Sequence, residues 1–134
     1  MNDITSGSDS REARTLDDPV MGFEVDREIA LLREEPGYAQ FGRSSKTLGK
    51  SRNFRLVVTA ARAGTDLGND DAEAAMAIQV LDGAVTATRA GAGMRFGRGS
   101  VIWFAEGEDW AVRVEDDAAL VLSIGWPGGA AEDN

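Results

Sequence analysis

Two short acidic runs hold the side chains of this chain that are best suited to proton transfer or cation binding. The first is Asn69-Asp70-Asp71-Ala72-Glu73 and the second is Glu106-Gly107-Glu108-Asp109. A buried carboxylate can act as a general base, and several carboxylate oxygens together can hold a hard cation. The first run lacks the ligand spacing of an EF-hand loop. Capped or solvated turns are the commoner use of such runs, and we favour that interpretation for both.

The chain contains no histidine and no cysteine. Thiolate metal sites, disulfides and the Ser-His-Asp and Cys-His arrangements are therefore excluded, and the commonest metal ligand is missing. Gly91-Ala92-Gly93 and Gly97-Arg98-Gly99 are interpreted as hairpin turns, because neither opens a helix as a phosphate-binding loop must. Carboxylates and aromatic side chains remain as candidate functional groups.

Length and charge bound the class of protein. The 134 residues suit one domain, and a net charge of -9 argues against nucleic acid and anionic membranes as partners. No apolar run is long enough to span a membrane, and the polar N-terminus predicts a cytoplasmic protein. We expect a flexible polar tail over 1–19, a single domain over 20–127 and a frayed C-terminal tail over 128–134.

Basic residues are concentrated in one segment. Between Pro36 and Thr65 there is no acidic residue, while six of the chain's 14 basic side chains lie there. These six are Arg43, Lys46, Lys50, Arg52, Arg55 and Arg62. Such asymmetry can mark an anion site or a partner surface. The interpretation we favour is a basic strand that lies beside acidic strands of the same subunit or of a second one.

A short helix is expected before this segment, over about 26–35. Asp26 can cap it, Val25, Ile29 and Leu32 share one face, and Pro36-Gly37 ends it. We expect this apolar face to cover the sheet.

The rest of the chain alternates between apolar strands and turns. Strands are expected over Asn53–Ala63, Met76–Leu81, Val85–Arg89, Met94–Phe96, Val101–Ala105, Trp110–Val114 and Ala118–Ile124. On the first of these, Phe54, Leu56, Val58 and Ala60 share one face, and Arg55, Val57, Thr59 and Ala61 share the other. Asp82-Gly83 matches a two-residue hairpin, and Glu115-Asp116-Asp117 is expected to form a turn. Val101–Ala105 is apolar on both faces and needs cover on both, by a second sheet and by a second subunit.

Two sets of glycines follow the spacing of a known pair of motifs. Gly99, Ala105, Gly107, Trp110 and Val114 stand where the second motif has Gly, Pro, Gly, His and Asn. Gly64, Asp70, Ala72, Met76 and Gly83 stand where the first motif has Gly, His, His, Glu and Gly. Over roughly residues 43–127 the chain resembles the cupin superfamily, and in particular small single-domain bacterial cupins.

This resemblance implies an all-β fold, a small cupin-type β-barrel or double-stranded β-helix (jelly roll), here with a short N-terminal helix. It implies a dimer and an active site inside the barrel mouth, where metal-bearing members use three histidines and one glutamate. The four positions are Asp70, Ala72, Met76 and Trp110 in this chain, so we expect no metal and no other cofactor. Metal-free sugar epimerases of cupin shape use a histidine and a tyrosine, and the only tyrosine here is Tyr38, upstream of the barrel.

Three functions remain open. We favour a degenerate, metal-free cupin that acts as a binding or interaction module and forms a homodimer. Its pocket, for a small apolar or aromatic ligand, is predicted to involve Asp70, Ala72, Met76, Trp110 and Val112. One alternative is an enzyme with a rebuilt carboxylate site, in which Asp70 is the catalytic candidate beside Glu106 or Glu108. The other is a purely structural dimeric barrel packed solid by Trp110, Met76 and Val112.

Overall fold

Residues 19–68 and 73–127 are described by the computed structural model, so nearly all of both expected tails lies outside the described residues. The elements in chain order are α1 (Val25–Arg33), α2 (Pro36–Phe41), β1 (Arg43–Lys50), β2 (Phe54–Ala61), β3 (Ala75–Arg89), β4 (Ala92–Gly97), β5 (Val101–Phe104) and β6 (Ala111–Gly125). Within these residues, no helix has the length and apolar character needed to cross a bilayer.

The six strands form one antiparallel sheet in the order β1-β2-β6-β3-β4, and β5 pairs with β3. Both β3 and β6 are 15 residues long and pair with each other along nearly their whole length. The first half of β3 has β5 as its other neighbour, and the second half has β4. This arrangement confirms the predicted all-β jelly roll.

The predicted hairpin at Asp82-Gly83 is wrong, because β3 runs through it. The register between β3 and β6 shifts repeatedly between Val80 and Val85, so the dipeptide lies at a bulge. Gly83 has a φ of 83°, which the Asp-Gly signal correctly implies, but a type I′ turn also needs a positive φ at the residue before it. The positive φ here serves to bend a continuous strand.

The predicted turn at Glu115-Asp116-Asp117 is also wrong, because all three residues lie within β6. Their side chains are exposed, and Asp116 accepts a hydrogen bond from Arg95 at 2.9 Å. Acidic residues are therefore tolerated in this strand, because their carboxylates remain at the surface while the main chain is paired. The two-residue hairpin lies instead at Ala90-Gly91, with φ values of 54° and 82°, between β3 and β4.

Apolar side chains pack on both faces of the sheet. The larger core fills the inside of the barrel and is drawn mainly from β3, β5 and β6 together with Trp110 and Trp126. The second core lies on the outer face of β1, β2 and β6, under α1. Its buried members are Ile29, Leu32, Leu48, Val58, Ala60 and Ala119. The expectation that the first helix covers the sheet is therefore confirmed.

The ends of that helix differ from the prediction. Glu24, and not Asp26, occupies the N-cap, and no side chain caps the helix there. Pro36 opens the second helix, α2, which the sequence analysis did not predict, because proline fits the first turn of a helix. On α1, Glu28 is buried and accepts a hydrogen bond from Lys46 of β1 at 2.9 Å.

Replacing Gly83 by alanine is expected to destabilise the fold strongly. A Cβ at this position would overlap the main-chain oxygen of Asp117 and would lie 2.7 Å from the Cα of Ala118. Gly91→Ala is the matched control, because Gly91 has nearly the same φ and nothing within 4 Å of its added Cβ. We expect Gly91→Ala to lower the free energy of unfolding by about 1–2 kcal/mol. Gly83→Ala should cost roughly 2 kcal/mol more. Urea denaturation measures both, and equal losses would contradict the close approach.

Candidate functional site

One cavity lies inside the barrel, between the inner faces of β1, β2, β3 and β6, and is called the main cavity for this position. Its volume is about 190 Å³ and it opens to solvent. One wall is polar and comes from β1 and β2, with Arg43, Ser45, Thr47, Arg55 and Thr59. The adjoining wall, from β6, β3 and Trp110, is apolar, with Met76, Ile78, Trp110, Leu122 and Ile124. A cavity with these two walls can bind a small molecule that has one polar and one apolar end.

Strand pairing produces the polar wall. β1 and β2 are antiparallel, with Ser45 opposite Thr59 and Thr47 opposite Val57. Because alternate residues of a strand point to the same face, these side chains and the two arginines all face the cavity. The hydroxyls of Ser45 and Thr59 are hydrogen-bonded to each other at 2.8 Å. They therefore form a polar patch between the arginines, which lie near opposite ends of the ladder.

Arg43 is held at one end of this wall. Its Nη1 donates a hydrogen bond to the main-chain oxygen of Leu67 at 2.8 Å. Leu67 belongs to the segment after β2, which pairs with β6 through its own main chain. A guanidinium has five N–H donors, so this single bond fixes its position while other donors remain for a ligand.

Arg55 lies at the other end, and its Nε is buried without a hydrogen-bond partner. The guanidinium carbon is 5.0 Å from the ring centroid of Trp126, a contact that orients the planar group. An unsatisfied buried N–H costs about 1–3 kcal/mol, and such groups are rare in folded proteins. Because Nε is enclosed by the protein's own atoms, the two Nη groups are the donors of this guanidinium that can face the cavity that Arg55 lines.

Trp110 separates the main cavity from a second one. It is buried and stacks on Phe104, with the ring centroids 4.2 Å apart and the planes at 27°. The second cavity, of about 310 Å³, lies between β4, β5 and the segment before β6. Trp110 lines both cavities, so its ring is a common wall for the two.

The predicted pocket residues have different positions. Asp70 and Ala72 lie outside the described residues. Met76 and Trp110 both line the main cavity. Val112 is 1 % exposed and belongs to the packed core, and it does not line either cavity described above.

The carboxylates proposed for a rebuilt catalytic site do not reach the main cavity. Glu106 is exposed and lines neither cavity. Glu108 lies at the second cavity and accepts a hydrogen bond from Nε of Arg89 at 2.6 Å. The described side chains therefore bring neither carboxylate to the wall formed by Met76 and Trp110.

The residues around the main cavity do not fit the metal that the resemblance implies. A divalent ion needs imidazole, thiolate or several oxygen ligands, and guanidinium groups repel it. In residues 19–68 and 73–127, no three acidic side chains lie close enough together to hold an ion. We derive no chemistry through a metal at this site.

The sequence analysis did not single out Arg43 and Arg55 as site residues. It grouped them with four other basic residues and favoured pairing with acidic strands. The strand pattern did contain a signal, because Arg55 shares a face with Val57 and Ala61. A charged side chain on the inward face of a strand is unusual unless it has a binding partner there. The basic segment is in fact divided, with Lys46 pointing outwards to Glu28 and the two arginines lining the cavity.

Sequence comparison identifies no relatives: no protein-family model matches this chain, and no curated protein matches it. Structure comparison does find similar proteins. An RmlC-like cupin from Desulfovibrio desulfuricans is 23% identical, has a TM-score of 0.58, and the match covers 70% of this chain and 92% of that one. An RmlC-like cupin from Shewanella frigidimarina is 15% identical, with a TM-score of 0.60 and coverage of 69% and 81%.

A protein of unknown function from Rhizobium leguminosarum bv. viciae is 16% identical, with a TM-score of 0.62 and coverage of 82% of this chain and 99% of that one. Identities this low show the fold alone. The pattern of strands agrees with these likenesses, and the chain therefore has a cupin-type jelly-roll fold.

Proposed function

We propose that this protein is a small-molecule-binding module that uses the barrel cavity without a metal ion, with residues 20–127 as its single domain. The observation that carries the proposal is a cavity of about 190 Å³ whose described lining combines two arginines with apolar side chains. A barrel built only for support would gain stability by filling that space and by removing the unsatisfied donor. The acidic, polar sequence supports a cytoplasmic location as part of the same proposal.

The two alternatives have less support. The open cavity argues against a barrel packed solid by Trp110, Met76 and Val112. The enzyme hypothesis has Asp70, which lies outside the described residues, as its catalytic candidate, and neither of the carboxylates expected beside it, Glu106 and Glu108, lines the main cavity. We therefore propose binding without catalysis.

Metal content is the first test of this proposal. We expect protein purified without a histidine tag to contain far less than one metal ion per chain, because the described cavity wall has cationic and apolar side chains where a metal needs electron-pair donors. Elemental mass spectrometry measures the ratio. A ratio near one that survives dialysis would contradict the proposal and would favour the rebuilt carboxylate site with Asp70.

Ligand binding is the second test. We expect at least one member of a fragment set that includes benzoate, benzamide and benzyl alcohol to shift the indole N–H resonance of Trp110, because its ring lines the cavity. Val57→Phe should abolish the shift, since Val57 lines the cavity and a phenyl ring would fill much of it. Val20→Phe is the matched control, as Val20 is 81% exposed, precedes α1 and lies away from the cavity. Shifts that persist in Val57→Phe, or no binder in the set, would contradict the proposal.

We also propose that the protein is a homodimer through the exposed side of β5. Ile102 and Phe104 are buried, whereas Val101 and Trp103 on the other face are 63% and 69% exposed. Met94 of β4, which is 62% exposed, lies at the second cavity with Trp103. A large exposed indole beside other apolar side chains is typical of an interface, and a second copy would present the same patch across a two-fold axis.

Trp103→Glu is expected to convert this dimer into a monomer, because it would place a charge at the centre of the apolar patch. Sedimentation velocity measures the mass in solution. Phe41→Glu is the control, since Phe41 is an equally exposed aromatic residue on α2, at 70%. Wild-type protein that sediments as a monomer at concentrations of about 100 µM would contradict the dimer.

A further inference from the structure

We propose that the ligand of the main cavity is a small organic monocarboxylate, whose oxyanion is held by Arg55 and whose apolar body lies against Trp110 and Met76, in a cavity to which Arg43 adds a second positive charge. This inference rests on the proposed function and adds the chemical class of the ligand. Neither the fold nor its structural relatives assign such a site.

The charge of the cavity is the first argument. Its described lining includes two guanidinium groups and no acidic side chain. Other arginines of the described chain pair with carboxylates, at Arg89–Glu108, Arg95–Asp116 and Arg113–Asp66. Arg43 bonds instead to a neutral carbonyl, and Arg55 contacts a neutral indole. In a chain of net charge -9, two uncompensated cations facing one cavity favour an anion there.

The geometry of Arg55 is the second argument. The Nε of this residue is buried and unpartnered, and its guanidinium plane is oriented by Trp126. The two Nη groups of a guanidinium form an edge that can bind a carboxylate with two parallel N–H···O bonds. A carboxylate at the part of Arg55 that lines the cavity would bind to this edge. In the Ser45–Thr59 hydrogen bond one hydroxyl donates to the other, so one O–H of the pair remains to donate to a ligand.

The adjoining apolar wall determines the rest of the ligand. Met76, Ile78, Trp110, Leu122 and Ile124 present apolar surface to the cavity. An apolar cavity of about 150 Å³ holds benzene. A cavity of about 190 Å³ therefore has room for one ring or a short branched chain with a carboxylate, which is about the size of benzoate. Inorganic phosphate would use the arginines but leave the apolar wall in contact with water, so we commit to the carboxylate.

The experiment compares benzoate, benzamide and inorganic phosphate by isothermal titration calorimetry at constant ionic strength. Benzoate and benzamide have nearly the same shape but differ in charge. We expect benzoate to bind about 10- to 100-fold more tightly than benzamide, because a hydrogen bond to a charged group contributes more than one to a neutral group. Phosphate should bind more weakly than benzoate.

Arg55→Met should remove this preference by lowering the affinity for benzoate by about 10- to 100-fold while leaving that for benzamide nearly unchanged. Arg55→Lys, which keeps the charge but loses the planar fork, should fall between wild type and Arg55→Met. Arg98→Met is the matched control, because Arg98 is exposed in the turn before β5 and the substitution changes the net charge equally. Thermal unfolding checks that each variant is folded; if Arg55→Met is not, the comparison rests on Arg55→Lys and Arg43→Lys.

Each outcome has a separate meaning. Equal affinities for benzoate and benzamide would overturn the carboxylate inference and leave the proposed function standing. Tighter binding of phosphate than of benzoate would also overturn it. An unchanged affinity in Arg55→Met, or an equal loss in Arg98→Met, would remove Arg55 from the site. If neither ring compound binds and no other fragment shifts the Trp110 resonance, the proposed function itself fails.

Discussion

The pairing of β3 with β6 is the constraint on which the rest of this structure depends. Both strands are 15 residues long, and they bend together where Gly83 passes over the main chain of Asp117. Before the bend, Met76 and Ile78 of β3 line the cavity. They pair with Ile124 and Leu122, which lie in the last part of β6. After the bend, β3 pairs with β4 and forms the wall of the second cavity. A straight pair of strands would place these two halves on one flat sheet and leave no enclosed space.

The two faces of the β1–β2 hairpin have different roles, because alternate residues of each strand point to opposite sides of the sheet. On the outer face, Lys46 is buried with Glu28 of α1, while Leu48 and Val58 pack under the same helix. A buried ion pair gains little stability over an apolar pair, but losing one partner is costly, so it holds the helix in one position on the sheet. On the inner face, Ser45 and Thr59 form the polar wall of the cavity. The ion pair thus fixes α1 on the outer face of the same two strands whose inner face forms the polar wall of the cavity.

The cavity differs from the metal site of a cupin in the sign of its charge. A metal centre needs groups that donate electron pairs, whereas the described wall offers guanidinium N–H groups that need acceptors. The ligand that we propose is accordingly an anion, in a barrel of the fold that holds a metal cation in metal-bearing cupins. The side chains of a site determine its function, so two proteins of the same fold can have different functions.

The sequence by itself determined the fold class, the alternation of the strands and the presence of a helix over the sheet. These follow from local periodicity, since apolar residues at every second position define a strand face wherever that strand pairs. It also placed Arg55 and Val57 on one face. It could not decide that Asp82-Gly83 bends a strand, because a positive φ serves a hairpin and a bulge equally well, and only the pairing with β6 selects the bulge. Nor could it show that Arg43, Arg55 and Trp110 line one cavity. Residues that far apart in the chain meet only when the sheet closes, and closure depends on long-range strand register that no local pattern specifies.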